Sequence, residues 1–215
     1  NQAQLFEKKL EERRGKWNKI LTLKNSPSLN KYNFTLDNNK LTLTKDNKEI
    51  LSIDVNDTNE YESISNKILE LESSLEKPIF LMKNKEVPFF DTSISNKSIL
   101  THSISLINNK SIKDFQNKTN EIVEPQRFRG NIHIEGINAW EERSWVGKII
   151  NINGISFKVE KNIPRCVAIN LKPKTDDNSL TLLQSLTKTY NHFDMGVYLT
   201  ALDNGLINIG DNISL

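Results

Sequence analysis

The chain has 215 residues, 36% hydrophobic and 26% charged, and its 29 basic and 27 acidic side chains leave a net charge of +2. That balance does not announce a nucleic-acid or membrane surface, and no apolar run reaches the ~18 residues that a membrane-spanning helix needs. The only cysteine, Cys166, excludes an intramolecular disulfide and any all-cysteine zinc or iron–sulfur site within one chain. The length suffices for one large or two small domains with a real core, so no covalent staple is required. The polar start Asn1-Gln2-Ala3-Gln4 is unlike a signal peptide; it lacks an initiator Met, as a fragment or a processed chain would. One cysteine and no secretory signal point to a reducing cytosol.

Residues 1–18 are charged, with Leu5, Phe6 and Leu10 at roughly helical spacing. Asn33 to Leu36 and Leu41 to Thr44 alternate around the polar turn Asp37-Asn38-Asn39-Lys40, which predicts a hairpin, and Ile50 to Val55 predicts a third strand. Tyr61, Ile64, Ile68, Leu71 and Leu75 recur at the three-and-four spacing of one helical face. Asp57 and Glu60 supply capping chemistry at its start, and Pro78 ends it. Phe80 to Phe90 reads as a connection. Ile104 to Ile107 predicts a short strand, and Ser111 to Lys118 a short helix carrying Ile112 and Phe115.

From residue 128 the pattern turns mainly to β. Asn131 to Gly136 alternates; Lys148 to Val159 predicts a hairpin about Asn153-Gly154, a pair suited to the positive φ angles of a type I′ turn. Cys166 to Leu171 alternates again. Leu182, Leu183, Leu186 and Tyr190 predict a helix, and Val197 to Ala201 a strand turned back by Asp203-Asn204-Gly205 into Leu206 to Ile209. Several short strands on tight turns favour a barrel or sandwich. The fold class expected is α+β, mainly β, with an N-terminal α/β part over residues 1–85 and a β-rich part over 86–215.

On a strand from 166 to 171, Val167, Ile169 and Leu171 share one face and Cys166, Ala168 and Asn170 the other. The thiol is then either a buried small hydrophobe or a single soft ligand or nucleophile. Arg165, its neighbour, projects oppositely on such a strand. His192 and Asp194, two apart, share a face if extended; the histidine is either a loop residue bonded to backbone or a proton source. Trp140 and Trp145 read as packing.

An ordered set of short motifs then resembles the MOSC domain, the module at the C-terminus of molybdenum cofactor sulfurases and of amidoxime-reducing proteins. The set is Phe128-Arg129-Gly130-Asn131, the strand to Gly136, Trp140-Glu141-Glu142, Trp145-Val146-Gly147, Arg165-Cys166, Gly196-Val197-Tyr198, Gly205 and Ile209-Gly210-Asp211. Upstream, Phe90-Asp91-Thr92-Ser93 and Ser103 to Ile107 resemble the segment that precedes this signature, and residues 5–76 loosely resemble the later part of the family's N-terminal domain.

The resemblance implies a MOSC-type barrel of mostly antiparallel strands with a few helices. It implies molybdenum cofactor (molybdopterin) as the cofactor, with Cys166 as the metal ligand and a catalytic residue. A soft thiolate suits a metal already held by dithiolene sulfur. It also implies cofactor contacts from Arg129, Asn131, Asp91, Thr92, Ser93, Arg165 and Tyr198. A guanidinium forks onto phosphate or pterin oxygens; a surface salt bridge is the plainer role for Arg129, and a turn or cap for Thr92 and Ser93. His192 and Asp194 match a Gly-His-x-Asp-like segment, with Asn191 where glycine is usual, and join the catalytic set. The activity implied is reduction of N-hydroxylated small molecules such as hydroxylamines or amidoximes, with electrons from a separate reductase or carrier. No nucleic-acid or membrane partner is expected, and the location expected is cytoplasmic. Pyridoxal phosphate binding is a further family-level association, with no residue attached to it. The alternatives are a sulfur or cofactor carrier with a persulfide on Cys166, or a non-catalytic β-barrel interaction domain. The family's Tyr-Pro-Val-Lys-like strand, whose Lys and following small residue hold the cofactor phosphate, has no counterpart in this sequence; in a fragment it would lie in the missing part.

Overall fold

The computed structural model describes residues 21–82 and 103–215. The helix expected over residues 1–18 and the segment Asp91-Thr92-Ser93 lie outside the described residues. The chain forms two compact units, Asn1–Thr92 with Pro173–Asp177, and Ser93–Lys172 with Asn178–Leu215.

In the first unit, β1 (Asn33–Asp37), β2 (Lys40–Lys45) and β3 (Lys48–Asp54) form an antiparallel sheet in that order. The polar turns are tight because Asn38, Asn39, Asp46 and Asn47 take positive φ, which Asn and Asp tolerate best among residues with a side chain. The amphipathic helix is α1 (Tyr61–Leu71). Leu43, Ile53 and Ile64 are buried in this unit. The helix stops at Leu71, seven residues before Pro78, and is followed by Glu72, whose carboxylate accepts from Tyr32 Oη at 2.6 Å and pairs with Lys31 Nζ at 2.7 Å. Leu75, expected on the helix face, is buried from beyond it.

The second unit contains β4 (Ile104–Asn108), α2 (Asn109–Thr119), β5 (Ile132–Ile134), β6 (Ile149–Ile152), β7 (Ile155–Pro164), α3 (Leu182–Tyr190), β8 (Asp194–Ala201) and β9 (Ile213–Ser214). The strands form one curled half-barrel sheet in the order β5-β4-β8-β7-β6-β9, antiparallel except for β4 beside β5. This is the mixed, mainly antiparallel β architecture that the sequence implies. The turn between β6 and β7 is Asn153-Gly154, both at positive φ, as predicted.

Two apolar clusters form in this unit. Leu106, Trp145, Ile150, Phe157, Val159, Val197 and Leu199 make one. Ile107, Ile112, Phe115, Phe128, Ile163, Ile169, Leu182, Leu186 and Met195 make the other, which includes residues of α2 and α3. Side chains alternate along β4 and β8, so Ser105 and Tyr198, which pair across those strands, face away from Leu106 and Val197. Gly196 permits this close pairing: a Cβ there would sit 2.4 Å from the carbonyl oxygen of Leu106, and its φ is +79°.

Two predicted strands are absent. Cys166 to Leu171 is not extended: β7 ends at Pro164, and Val167–Asn170 is a 3-10 helix closed by Ile169 N–H on the Cys166 carbonyl at 3.1 Å. Proline has no N–H with which to carry the ladder on. Val167, placed on the core face by the alternation, is 46% exposed. Leu206 to Ile209 is also irregular, with Leu206 and Ile209 exposed. Its flanks are held by side chains instead, Asp203 accepting from Ser156 N–H and Asp211 from Asn208 N–H, an alternative to ladder bonding. Among the described residues no helix is long and apolar enough to cross a membrane.

Candidate functional site

Cys166 is the N-terminal cap of the 3-10 helix, with extended backbone and a free, half-buried thiol. Arg165 clamps the chain beside it. Its Nε donates to the Met195 carbonyl at 2.8 Å, with Nη2 on the same oxygen, and Nη1 donates to the Phe128 carbonyl at 2.8 Å. The guanidinium stands 5.7 Å from the centre of the Phe128 ring. Burial pushes its pKa down to about 10, opposed by Tyr198, Cys166 and Asp194. Cys166 is thus among the groups that act electrostatically on Arg165.

Arg129 approaches from the Pro125–Phe128 turn, in left-handed conformation. Its Nη1 donates to the carbonyls of Arg127 and Ala168, both at 2.9 Å. Burial lowers its pKa, and Cys166 works against that. Arg127, unremarked in the sequence, is fully buried. It bonds Glu124 at 2.6 Å and the Asn170 carbonyl at 2.6 Å. Arg129 and Arg127 thus hold the two ends of the turn that carries the thiol.

Asn131 lies on the same strand face as Ser105. Its Oδ1 accepts from Ser105 N–H at 2.9 Å and from Ser105 Oγ at 2.8 Å. Its oxygen ties β5 to β4. Ser105 stands opposite Tyr198, and Tyr198 opposite Lys161, so from Asn131, just before β5, a polar row crosses three strands, β4, β8 and β7. Ser103 Oγ and Thr200 Oγ1 are buried without a hydrogen-bond partner.

His192 and Asp194 do not bond through their side chains. Asp194 pairs with Arg143 Nη1 at 3.3 Å. Its backbone N–H donates to His192 Nδ1 at 3.2 Å. The imidazole stacks on Tyr190, with centres 5.7 Å apart, and meets Trp140 edge-on at 5.6 Å. Asp114 accepts from Trp140 Nε1 and from Tyr190 Oη, both at 2.7 Å, which fixes the two rings. Burial first, and Arg143 second, lower the His192 pKa, with Asp194 opposing. The segment comes to the cysteine through the end of the ladder. Pro164 pairs with Asp194, and Arg165 N–H donates to the Phe193 carbonyl at 2.9 Å. His192 and Cys166 each lie one residue from this bonded pair.

Glu142 was read only as part of a motif. It is completely buried, accepting from Asn108 Nδ2 at 2.8 Å and from Ser111 Oγ at 2.8 Å. The expected packing of Trp140 and Trp145 is found, Trp145 in the first apolar cluster and Trp140 against the second.

A model of the MOSC domain matches residues 73–214, more than half of the chain. The chain belongs to the MOSC domain family. MOSC domains are associated with the molybdenum cofactor. Among solved structures, this MOSC chain is similar to YiiM from Geobacillus stearothermophilus, at 16% identity and a TM-score of 0.39, over 51% of this chain and 52% of that one. The chain thus spans about half the length of that protein. No curated protein matches it. The described residues contain no group of three or more His, Cys, Asp and Glu side chains able to hold a metal.

Proposed function

We propose that this MOSC domain binds molybdenum cofactor through Cys166 and reduces N-hydroxylated small molecules. The observation that carries the reading is the half-buried free thiol of Cys166, flanked by Arg129 and Arg165. The residues fit the group. A single soft sulfur completes a metal whose other sulfurs come from the pterin. The exposed Arg129 guanidinium suits an anionic, phosphorylated ligand, while Arg165 braces the backbone beside the thiol. The orphaned hydroxyls of Ser103 and Thr200 lie on the face with Tyr198 and offer partners to a polar ring system.

When bound, the cofactor supplies two-electron redox chemistry. Cys166 holds it in place from the turn that Arg127 and Arg129 brace. Arg165 keeps Cys166 registered against β8 through Met195 and the backbone of Phe193. Converting N–OH to N–H and water consumes two protons and two electrons, so a proton route from His192 or from water completes the site. Electrons from a separate reductase or carrier complete the proposed reaction.

The test is reduction of hydroxylamine and an aromatic amidoxime by the chain expressed in a cofactor-competent host, with a chemical electron donor. Turnover that requires molybdenum supports the reading. The half-exposed thiol also suits the carrier role; a stable extra sulfur on Cys166 without molybdenum, detected by mass spectrometry, would favour that instead. Pyridoxal phosphate stays an expectation of the family alone.

A further inference from the structure

The contact between Asp194 and His192 fixes which nitrogen of the ring carries its proton. A backbone N–H can only donate, and the Asp194 N–H points at His192 Nδ1 from 3.2 Å. Nδ1 must then offer a lone pair, so the proton of the neutral ring sits on Nε2. The ring is held in this state from three sides. Tyr190 and Trp140 set its plane, and both are anchored on the carboxylate of Asp114. Arg143 occupies the Asp194 carboxylate at 3.3 Å, so that carboxylate is not bonded to Nδ1 as a proton acceptor. Protonating Nδ1 would break its bond and set two N–H groups against each other.

A proton carrier needs a nitrogen that gains and loses a proton in each cycle. Here Nδ1 is blocked by a donor, and among the described hydrogen bonds Nε2 has no protein partner. Arg165 N–H donates to the Phe193 carbonyl at 2.9 Å, so His192 and Cys166 each lie one residue from a bonded pair.

We infer that His192 presents Nε2–H as a fixed hydrogen-bond donor beside Cys166, for the oxygen of the substrate's N–OH group, and that the protons for the reaction come from water. The inference rests on the proposed reduction of N-hydroxylated substrates. It makes His192 a residue that selects an oxygen acceptor on the substrate, and Arg143 and Asp194 the residues that position it.

Two measurements test it. The first needs no cofactor: nitrogen-15 NMR of histidine-labelled full chain at pH 7. The expected signals for His192 are a protonated Nε2 and a bare Nδ1; a protonated Nδ1, or both nitrogens protonated, overturns the inference. The second compares His192→Gln with His192→Ala in the loaded protein. A glutamine amide still offers an N–H near the Nε2 position and has no titrating nitrogen. A donor role predicts that His192→Gln keeps activity within about tenfold of wild type, with an unchanged pH profile, while His192→Ala loses roughly a further tenfold, mostly in KM, the scale of one hydrogen bond. Equal loss in both variants, or a shifted pH profile in His192→Gln, overturns it. If wild-type protein carrying molybdenum reduces no N-hydroxylated compound, the proposed activity and the substrate half of the inference fall together, while the NMR result still decides the tautomer.

Discussion

Arg165 and Met195 are joined by two donors on one carbonyl oxygen, from Nε at 2.8 Å and from Nη2. The pair locks the end of β7 to β8 just before Cys166. A third donor reaches Phe128. Arg165→Lys keeps the charge but has no fork, and leaves at least one of the two carbonyls without its donor. The variant should lose about 2–3 kcal/mol of unfolding free energy, read by urea denaturation. A loss under about 0.5 kcal/mol would mean that the clamp is incidental.

Gly196 cannot carry a side chain. A Cβ there would meet the Leu106 carbonyl oxygen at 2.4 Å and Ile107 Cδ1 at 2.6 Å, at φ +79°. Gly196→Ala should cost about 3 kcal/mol or more through overpacking and a strained backbone. Soluble yield and Tm would both fall; an unchanged Tm would show that the β4–β8 pairing can part at low cost.

Glu142 sets a pH dependence with an unusual sign. Burial raises its pKa, against the hydrogen bonds from Asn108 and Ser111. The folded state therefore holds this proton more tightly than the unfolded chain does. Its contribution to stability is complete below the ordinary Glu value of about 4.3 and is lost as pH rises through the folded value. Glu142→Gln should flatten that slope above pH 4.3, measured by unfolding at a series of pH values. Glu142→Ala removes the acceptor of Ser111 Oγ and one of the two acceptors of Asn108 Nδ2 and should cost about 3 kcal/mol. A pH slope unchanged in Glu142→Gln would place its origin elsewhere.

His192 acts in the other direction. Burial and Arg143 depress its pKa, so the folded state prefers the neutral ring. Its contribution is present above the unfolded value of about 6.5 and is lost as pH falls from there through the folded value. Arg143→Gln should raise the pKa of His192, seen by NMR titration, since one lowering cause is gone. A pKa that stays or falls would remove Arg143 from the site.

Much of the fold is legible in the sequence because local chemistry there agrees with the tertiary result. Asn153-Gly154 dictates its hairpin, Asn38-Asn39 another, and the spacing of Ile64 and Ile68 marks α1. The failures share one physical cause. Val167, Ile169 and Leu171 alternate like a strand, but Val167–Asn170 is a 3-10 turn with three residues per turn; Ile169 is buried within it, Leu171 just beyond it, and Val167 is exposed. Period-2 geometry therefore put the thiol away from the core for the wrong reason. Leu206, Ile207 and Ile209 carry strand propensity, yet Asp203 and Asp211 satisfy the neighbouring backbone locally.

Within the site, the sequence marks Cys166, Arg129 and His192 as reactive or charged residues near family-like motifs. It does not reveal how their donors are used. Asn131 turns its oxygen to Ser105, Asp194 turns its carboxylate to Arg143, and Arg165 turns three donors to backbone carbonyls. Those partners are 26 to 51 residues away in sequence, beyond any local pattern. Arg127 and Glu142 were overlooked because a buried charge looks, in sequence, like a surface one.

The account depends most directly on the sulfur of Cys166. Molybdenum per chain should be measured for wild type and Cys166→Ser, both expressed in a cofactor-competent host, alongside their thermal melts. The expected result is bound molybdenum in wild type and its loss in Cys166→Ser with an unchanged melt of the cofactor-free protein. Cys166→Ser holding as much molybdenum as wild type, or wild type holding none, would contradict the assignment of this thiol as the metal ligand.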